Sequence, residues 1–369
     1  MSARSIPPEL ARYHRQVILP GIGVDGQQRL SGAHALLVGC GALGTVAADA
    51  LVRAGLGNLT IVDRDIVEHT NLQRQVLFDE ADARAGLPKA QAAAERLARI
   101  NADVRVHPIV ADLNARNVES LMRDARAVID GTDNFQTRYL LNDACIKHGV
   151  PLVYGGVVGT SGMTMTILPT SVPQPAALSG LCDNPTPTIQ PTPCLRCLFP
   201  EPPPPGSSPT CDTAGVLGPA AGIVACTQAA ETIKILLGRS DLVKPQLVEF
   251  DLWTNARRAL DLAAIDRSSC PCCAQRRFEF LDAPVSDSAS LCGSDAVQIL
   301  AAAQTSIDLA EFAARMARAG HPDFSATRFM ARGRVEGHSL SLFADGRAIV
   351  KGTTDPNRAK SIYARYVGA

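Results

Sequence analysis

The chain has 369 residues, which at roughly 150 residues per domain suits one large domain with an appendage. Its 36 Lys and Arg balance 36 Asp and Glu, leaving no net field to draw it onto nucleic acid or an anionic membrane. Hydrophobic residues at 46% and charged residues at 20% exclude a disordered chain.

No run reaches about 18 apolar residues, and MSARSIPPELARYHRQ lacks the apolar stretch of a signal peptide. A cytoplasmic protein with no membrane and no nucleic-acid partner is expected. From Ala33, AHALLVGCGALGTVAADALVRAGLGNLTIVDRD reads as strand, glycine turn, Ala-rich helix and a second, parallel strand. The alternation continues through a helix over 89–100, a strand from Val104, the run RAVIDGTDN, a helix over 135–147 and the strand PLVYG. It predicts an α/β fold, a Rossmann-like doubly wound and mostly parallel sheet, within a domain over 1–280. Residues 169–210 are rich in Pro, Ser and Thr and read as loops. Structure resumes with a helix ending at Gly238 and the strand QLVEFDLW. Residues 281–369 read as a small α+β extension: a helix over 295–319, a hairpin turning at Asp345 and Gly346, and a last helix over 357–366.

Gly39, Gly41 and Gly44 form G-x-G-x-x-G between a strand and a helix, where backbone can approach a phosphate at the helix N-terminus. Asp63 closes the next strand, placed to hydrogen-bond ribose hydroxyls. These residues alone favour an NAD-dependent oxidoreductase, the commonest use of the pattern; a turn that merely packs helix on strand is the plainer alternative. Beyond Asp63 the chain supplies Asn71, Arg74, Lys89 and Asp133 at places where loops could converge. Cations offset triphosphate charge and a carboxylate oxygen binds Mg2+, although each residue taken singly reads better as a solvated surface charge. Arg15, before an apolar run, reads as a helix-surface charge.

Eleven cysteines are too many for a disulfide framework in a reducing compartment. Cys194-x-x-Cys197 and Cys270-x-x-Cys273 have the spacing in which each loop offers two thiolates to a tetrahedral Zn2+, with Cys272 as a competing ligand and free thiols as the alternative. Cys211 follows a Pro-rich, mobile-looking loop and just precedes a helix, which favours an accessible thiolate; an inert loop thiol is the alternative. Cys40, Cys145 and Cys226 read as small core residues, while Cys182 and Cys292 carry no assignment.

The phrases RYHRQVILPGIGVDGQQRL, VGCGALG, VDRDIVEHTNLQRQ, LPKA, DGTDNFQTRYLLNDAC, CLRCLFP, CDTAGVLGP and ETIKILLG occur in order from Arg12 to Cys273. They resemble the ThiF/MoeB group of bacterial relatives of ubiquitin-activating enzymes. The resemblance implies a homodimer that binds MgATP and adenylates the C-terminal Gly-Gly carboxylate of a small ubiquitin-like sulfur-carrier protein. Carried over by motif, Asp63 holds the ATP ribose, Asn71, Arg74 and Lys89 hold the phosphates, and Asp133 binds Mg2+. Arg15 matches an arginine donated to the neighbouring subunit's site, and the four paired cysteines match a structural Zn2+ site. Cys211 matches a cysteine that carries the activated carrier or its sulfur in ThiF-type members, while MoeB-type members adenylate without one. A sulfurtransferase or cysteine desulfurase is the expected sulfur source. Thiamine thiazole synthesis is the expected pathway, with molybdopterin synthesis or tRNA thiolation as alternatives. An NAD-dependent oxidoreductase and a zinc-stabilised binding module are the readings from other classes.

Overall fold

Short, buried aliphatic runs become the central strands of the first unit. The computed structural model describes residues 6–170, 190–204, 211–284, 288–290, 295–300 and 306–368. Its two compact units are Met1–Ala283 and Pro284–Ala369. In the first, β1 (His34–Val38), β2 (Asn58–Val62), β3 (Arg105–Ile109), β4 (Ala127–Asp130), β5 (Leu152–Val158), β6 (Ser161–Ile167), β7 (Gln246–Asp251) and β8 (Ala256–Asp261) form one sheet. Their order is β3-β2-β1-β4-β5-β6-β7-β8. The five strands from β3 to β5 run parallel, and β6 to β8 extend the sheet antiparallel. The chain direction across the sheet reverses between β1 and β4, the switch point outside which doubly wound sheets bind ligands. Register pairs Val38 with both Val62 and Asp130, so Gly39, Asp63 and Gly131 emerge level at the carboxyl edge.

Four principal helices cover the sheet: α1 (Ala42–Arg53), α2 (Lys89–Ile100), α3 (Phe135–His148) and α4 (Gly218–Leu236). Alternating strand residues divide between two cores, as the two-residue period of a strand requires. Leu37, Ile61 and Ile129 pack with Leu51 of α1, Leu97 of α2 and Val224 of α4. Leu36, Val62 and Val128 pack on the other face with Tyr139, Leu141 and Cys145 of α3. Gln228 of α4 stitches β4 to β5, its Nε2 donating to the carbonyls of Asp130 at 2.7 Å and Val153 at 3.0 Å.

The second unit is a six-stranded antiparallel sheet ordered β11-β12-β13-β14-β10-β9. These strands are β9 (Ser288–Ser290), β10 (Ala296–Ile299), β11 (Ser325–Ala326), β12 (Met330–Val335), β13 (His338–Phe343) and β14 (Ala348–Lys351). Helices α5 (Leu309–Arg318) and α6 (Pro356–Tyr366) share a core with Val297, Leu340, Leu342 and Val350. The expected hairpin is present, with Gly346 at φ 84° in its turn.

Two expectations are corrected. The helix expected over 295–319 is a strand at its start, because Ala296 to Ile299 pair with Lys351 to Ala348. Helix begins only at Leu309, where the Asp308 carboxylate accepts from the amides of Ala310 and Glu311. Cys226 is exposed rather than buried. Helix α4 is apolar nearly all round, and only one of its faces meets the sheet. Cys40 and Cys145 are buried as expected. Most of the Pro-rich stretch over 169–210, with Cys182, and Cys292 lie outside the described residues. No helix among the described residues is long and apolar enough to cross a membrane.

Candidate functional site

The glycine turn joins β1 to α1 against the end of β4. Gly39 has φ +87°, and a Cβ there would stand 2.6 Å from the Gly131 carbonyl oxygen. A Cβ on Gly44 would stand 1.9 Å from the Gly39 carbonyl oxygen. Both glycines are demanded by packing. Gly41 differs: a Cβ there meets nothing closer than Gln75 Nε2 at 3.8 Å, so the backbone at the start of α1 has room for a methyl group. Asp63 fixes the turn from beneath. Its Oδ2 accepts from the Cys40 amide at 2.6 Å and its Oδ1 from the Asp65 amide at 2.7 Å.

Charge converges beside this turn. Ile66 bridges to Pro88 and the Lys89 amide donates to the Asp65 carbonyl at 2.9 Å, which carries LPKA to the end of β2. Lys89 Nζ then lies 3.1 Å from Asp65 Oδ2. Burial alone would lower the Lys89 pKa, but Asp65 and Asp63 outweigh it and raise the value, so the ammonium stays charged. Burial raises the Asp63 carboxyl above the usual range, opposed by Lys89 and the two backbone donors. Asp133, exposed past the end of β4, acts electrostatically on both Lys89 and Arg64. Arg64 itself pairs with Asp112 at 2.7 Å.

The NLQRQ segment forms the next wall. Asn71 is buried and its Oδ1 accepts from the Glu68 amide at 2.9 Å. Arg74 Nη1 donates to the Thr70 carbonyl at 2.8 Å, and its Cα lies 3.7 Å from the Cβ position of Gly218 at the start of α4. Gln75, its neighbour, faces Gly41.

Arg15 is not brought to this cluster. It lies exposed on the short helix His14–Val17 and makes no hydrogen bond or ion pair among the described residues. Residues flanking it are tied elsewhere. Arg12 and Tyr13 bond Asn101, and Gln16 donates to the Ala54 carbonyl at 2.9 Å. Asn101 and Ala54 follow the last turns of α2 and α1, helices of 12 residues that start at the site. At 1.5 Å per residue those anchors stand about 18 Å from the helix starts. Cys211 opens the helical turn Cys211–Ala214. Beyond that turn, the Gly159 amide donates to the Gly215 carbonyl and the Leu217 amide to the Gly159 carbonyl, both at 2.8 Å, which clips the segment to the end of β5.

The sequence reading missed Arg64, Gln75 and Arg138. Buried Arg138 donates through Nη2 to the carbonyls of Thr132 at 2.7 Å and Gly155 at 3.1 Å, with the rings of Phe135 and Tyr154 at 5.7 and 5.3 Å. It holds the turn that presents Asp133. Its spacing of five residues after Asp133 was the available signal.

The four paired cysteines meet, with Sγ atoms all within 4.8 Å of one another. The separations are 3.6 Å for Cys194 and Cys270, 3.8 Å for Cys194 and Cys197, and 3.4 Å for Cys197 and Cys273. A tetrahedron with Zn–S bonds of 2.3 Å has edges of about 3.8 Å, so the cluster fits Zn2+. Cys272, also buried, is not one of the four; its Sγ accepts from Asn142 Nδ2 at 3.3 Å and lies within hydrogen-bonding reach of Cys194. The knuckles are bolted to α3. Asn142 Oδ1 accepts from the Leu195 amide at 2.9 Å, buried Asp143 accepts from the Phe280 amide at 3.1 Å, and Arg196 pairs with Glu279 at 2.6 Å.

Among known proteins, residues 13–272 match the ThiF family. The chain is similar to the "Sulfur carrier protein ThiS adenylyltransferase" of Bacillus subtilis, with 41% identity over 358 residues, 97% of this chain and 99% of the relative. It is 40% identical over 265 residues to the "Sulfur carrier protein adenylyltransferase" of Thermus thermophilus, covering 72% of this chain and 91% of that one. The fold resembles the crystal structure of E. coli MccB, with a TM-score of 0.57 at 22% identity over 72% of this chain and 73% of that one.

Proposed function

Because the chain belongs to the ThiF family, we propose that it is an ATP-dependent adenylyltransferase acting on the C-terminal carboxylate of a small Gly-Gly sulfur-carrier protein. The observation that carries this reading is the cradle open at Gly41, with Asp63 beneath it and Lys89 and Asp133 at the same sheet edge. A carboxylate and a triphosphate are both anions, so cations must gather before they can react. Asp63 would hold the ribose, and Asn71, Arg74 and Lys89 the phosphates. Asp133, exposed and facing those cations, would hold Mg2+, which supplies charge neutralisation at the phosphates.

The carrier carboxylate oxygen attacks the α-phosphorus. The bond from that phosphorus to the α,β-bridging oxygen breaks, and pyrophosphate leaves with the oxygen and its electron pair. No protein nucleophile or proton transfer is needed. Cys211, on the segment clipped beside β5, is placed in this reading to receive the activated carrier: its thiolate attacks the acyl carbon and expels AMP.

Arg15 serves a second copy of the chain, since its anchors fix it far from its own phosphate turn; the active form is then a homodimer. Zn2+ on Cys194, Cys197, Cys270 and Cys273 serves structure, because a closed four-thiolate site leaves no open position. Thiamine thiazole synthesis is the favoured pathway. The ThiS-named relative aligns over 97% of the chain and so spans the C-terminal unit, whereas the Thermus relative aligns over 72%.

ATP–pyrophosphate exchange with purified carriers tests the proposal. Exchange that requires a carrier with its terminal glycine supports it, and the carrier giving the highest kcat/KM identifies the pathway. Absence of exchange with thiazole, molybdopterin and tRNA-thiolation carriers alike overturns it.

A further inference from the structure

We infer that Gln75 is a direct contact to the α-phosphate of ATP, a role that rests on the adenylyltransferase reading above. Gln75 is 3% exposed, and its Oε1 is fully enclosed with no hydrogen-bond partner. Enclosing an unpartnered amide oxygen is costly, and an aliphatic side chain of similar size would avoid the cost. A carboxamide at such a place needs its other end for something. Gln228 shows the comparison within the same molecule. Its Oε1 is equally enclosed and unpartnered, but its Nε2 donates to two strand carbonyls. The Nε2 of Gln75 has no such partner among the described residues and faces the phosphate turn, 3.8 Å from the Cβ position of Gly41.

The position is fixed. The Gln75 amide donates to the Asn71 carbonyl at 3.0 Å, and the Phe78 amide donates to the Gln75 carbonyl at 3.3 Å. The chemistry of the contact follows from the geometry. Phosphate oxygens only accept, and an NH2 group aimed into the cradle only donates. Asp63, which takes the ribose in this reading, is bonded to the amide of Cys40, one residue before Gly41. The phosphate that reaches Gly41 is therefore the one joined to the ribose. A neutral amide there gains strength as the non-bridging oxygens gather charge during attack, adding to Lys89 without another cation.

The test is carrier-dependent exchange with ATP and with the two diastereomers of ATPαS, in wild type, Gln75→Met and Gln75→Ala. One donor on one non-bridging oxygen makes wild type prefer one diastereomer. The variants should lose about 10²-fold in kcat and most of that preference, while their Tm stays at or above the wild-type value. The preference is a ratio, so partial unfolding does not alter it, and the diastereomer-dependent rise in Tm reports the same ratio without turnover. Variants that retain the wild-type kcat and preference, or that lose activity with the preference intact, overturn the inference. Wild-type protein that shows no exchange with any carrier overturns the adenylyltransferase reading instead.

Discussion

Gly39, Gly41 and Gly44 belong to one motif but answer to different constraints. Gly44→Ala drives a methyl group to within 1.9 Å of a backbone oxygen. It should destabilise by about 1–3 kcal/mol or more, and each kcal/mol lowers Tm by roughly 2–4 °C at this domain size. Gly41→Ala has room, so its Tm should stay within about 1 °C while the ATP-induced rise in Tm disappears, because the methyl group occupies the cradle. Thermal shift with and without MgATP separates the two; equal behaviour would mean that Gly41 does not face the nucleotide. The glycines and Asp63 were legible in the sequence because a strand–turn–helix fixes their geometry locally. Arg64, Gln75 and Arg138 were not. Their relevance depends on which loop each side chain meets across the sheet, and a buried orphan oxygen leaves no trace in composition.

Among the elements, parallel β1, β2, β4 and β5 were readable as buried aliphatic runs alternating with helices, and half-exposed β3 from its place in that alternation. Strands β6 and β8 were not. SGMTMTI mixes polar and apolar residues, and ARRALD is exposed throughout, so each takes its identity from its neighbour in the sheet. Strand β10 read as helix because Ala-rich sequence satisfies helix propensity, and pairing with β14 overrode it. The CxxC spacings were legible and pointed to Cys194, Cys197, Cys270 and Cys273, the four whose sulfurs meet, while Cys272 accepts from Asn142. Helix α3 links this centre to the site, with Asn134 accepting from the Thr137 amide at its start and Asn142 and Asp143 about two turns further on. Metal analysis should find one Zn2+ per chain. Cys270→Ser should abolish stoichiometric Zn2+ and lower Tm by several degrees, while Cys272→Ala should keep the metal. Full Zn2+ in Cys270→Ser and none in Cys272→Ala would reverse the ligand assignment.

At the scale of the whole molecule, Arg15 lies exposed and away from the phosphate turn of its own chain. Both Arg15→Ala and Asp133→Ala should be inactive alone. If Arg15 acts across a two-fold axis, mixing and re-equilibrating the two variants restores one good site in each heterodimer, or about a quarter of wild-type exchange. No recovery, with exchange of subunits verified, would return Arg15 to its own chain. Central to all of this is the transfer of AMP to a carrier carboxylate, and the intact mass of the carrier reports it most directly. After incubation with the protein and MgATP, a ThiS-type carrier should gain the mass of one adenylyl group, and should gain nothing when its last glycine is removed or when Asp133→Ala replaces wild type. A carrier whose mass never changes, from a protein that binds NADH in preference to ATP, would contradict it.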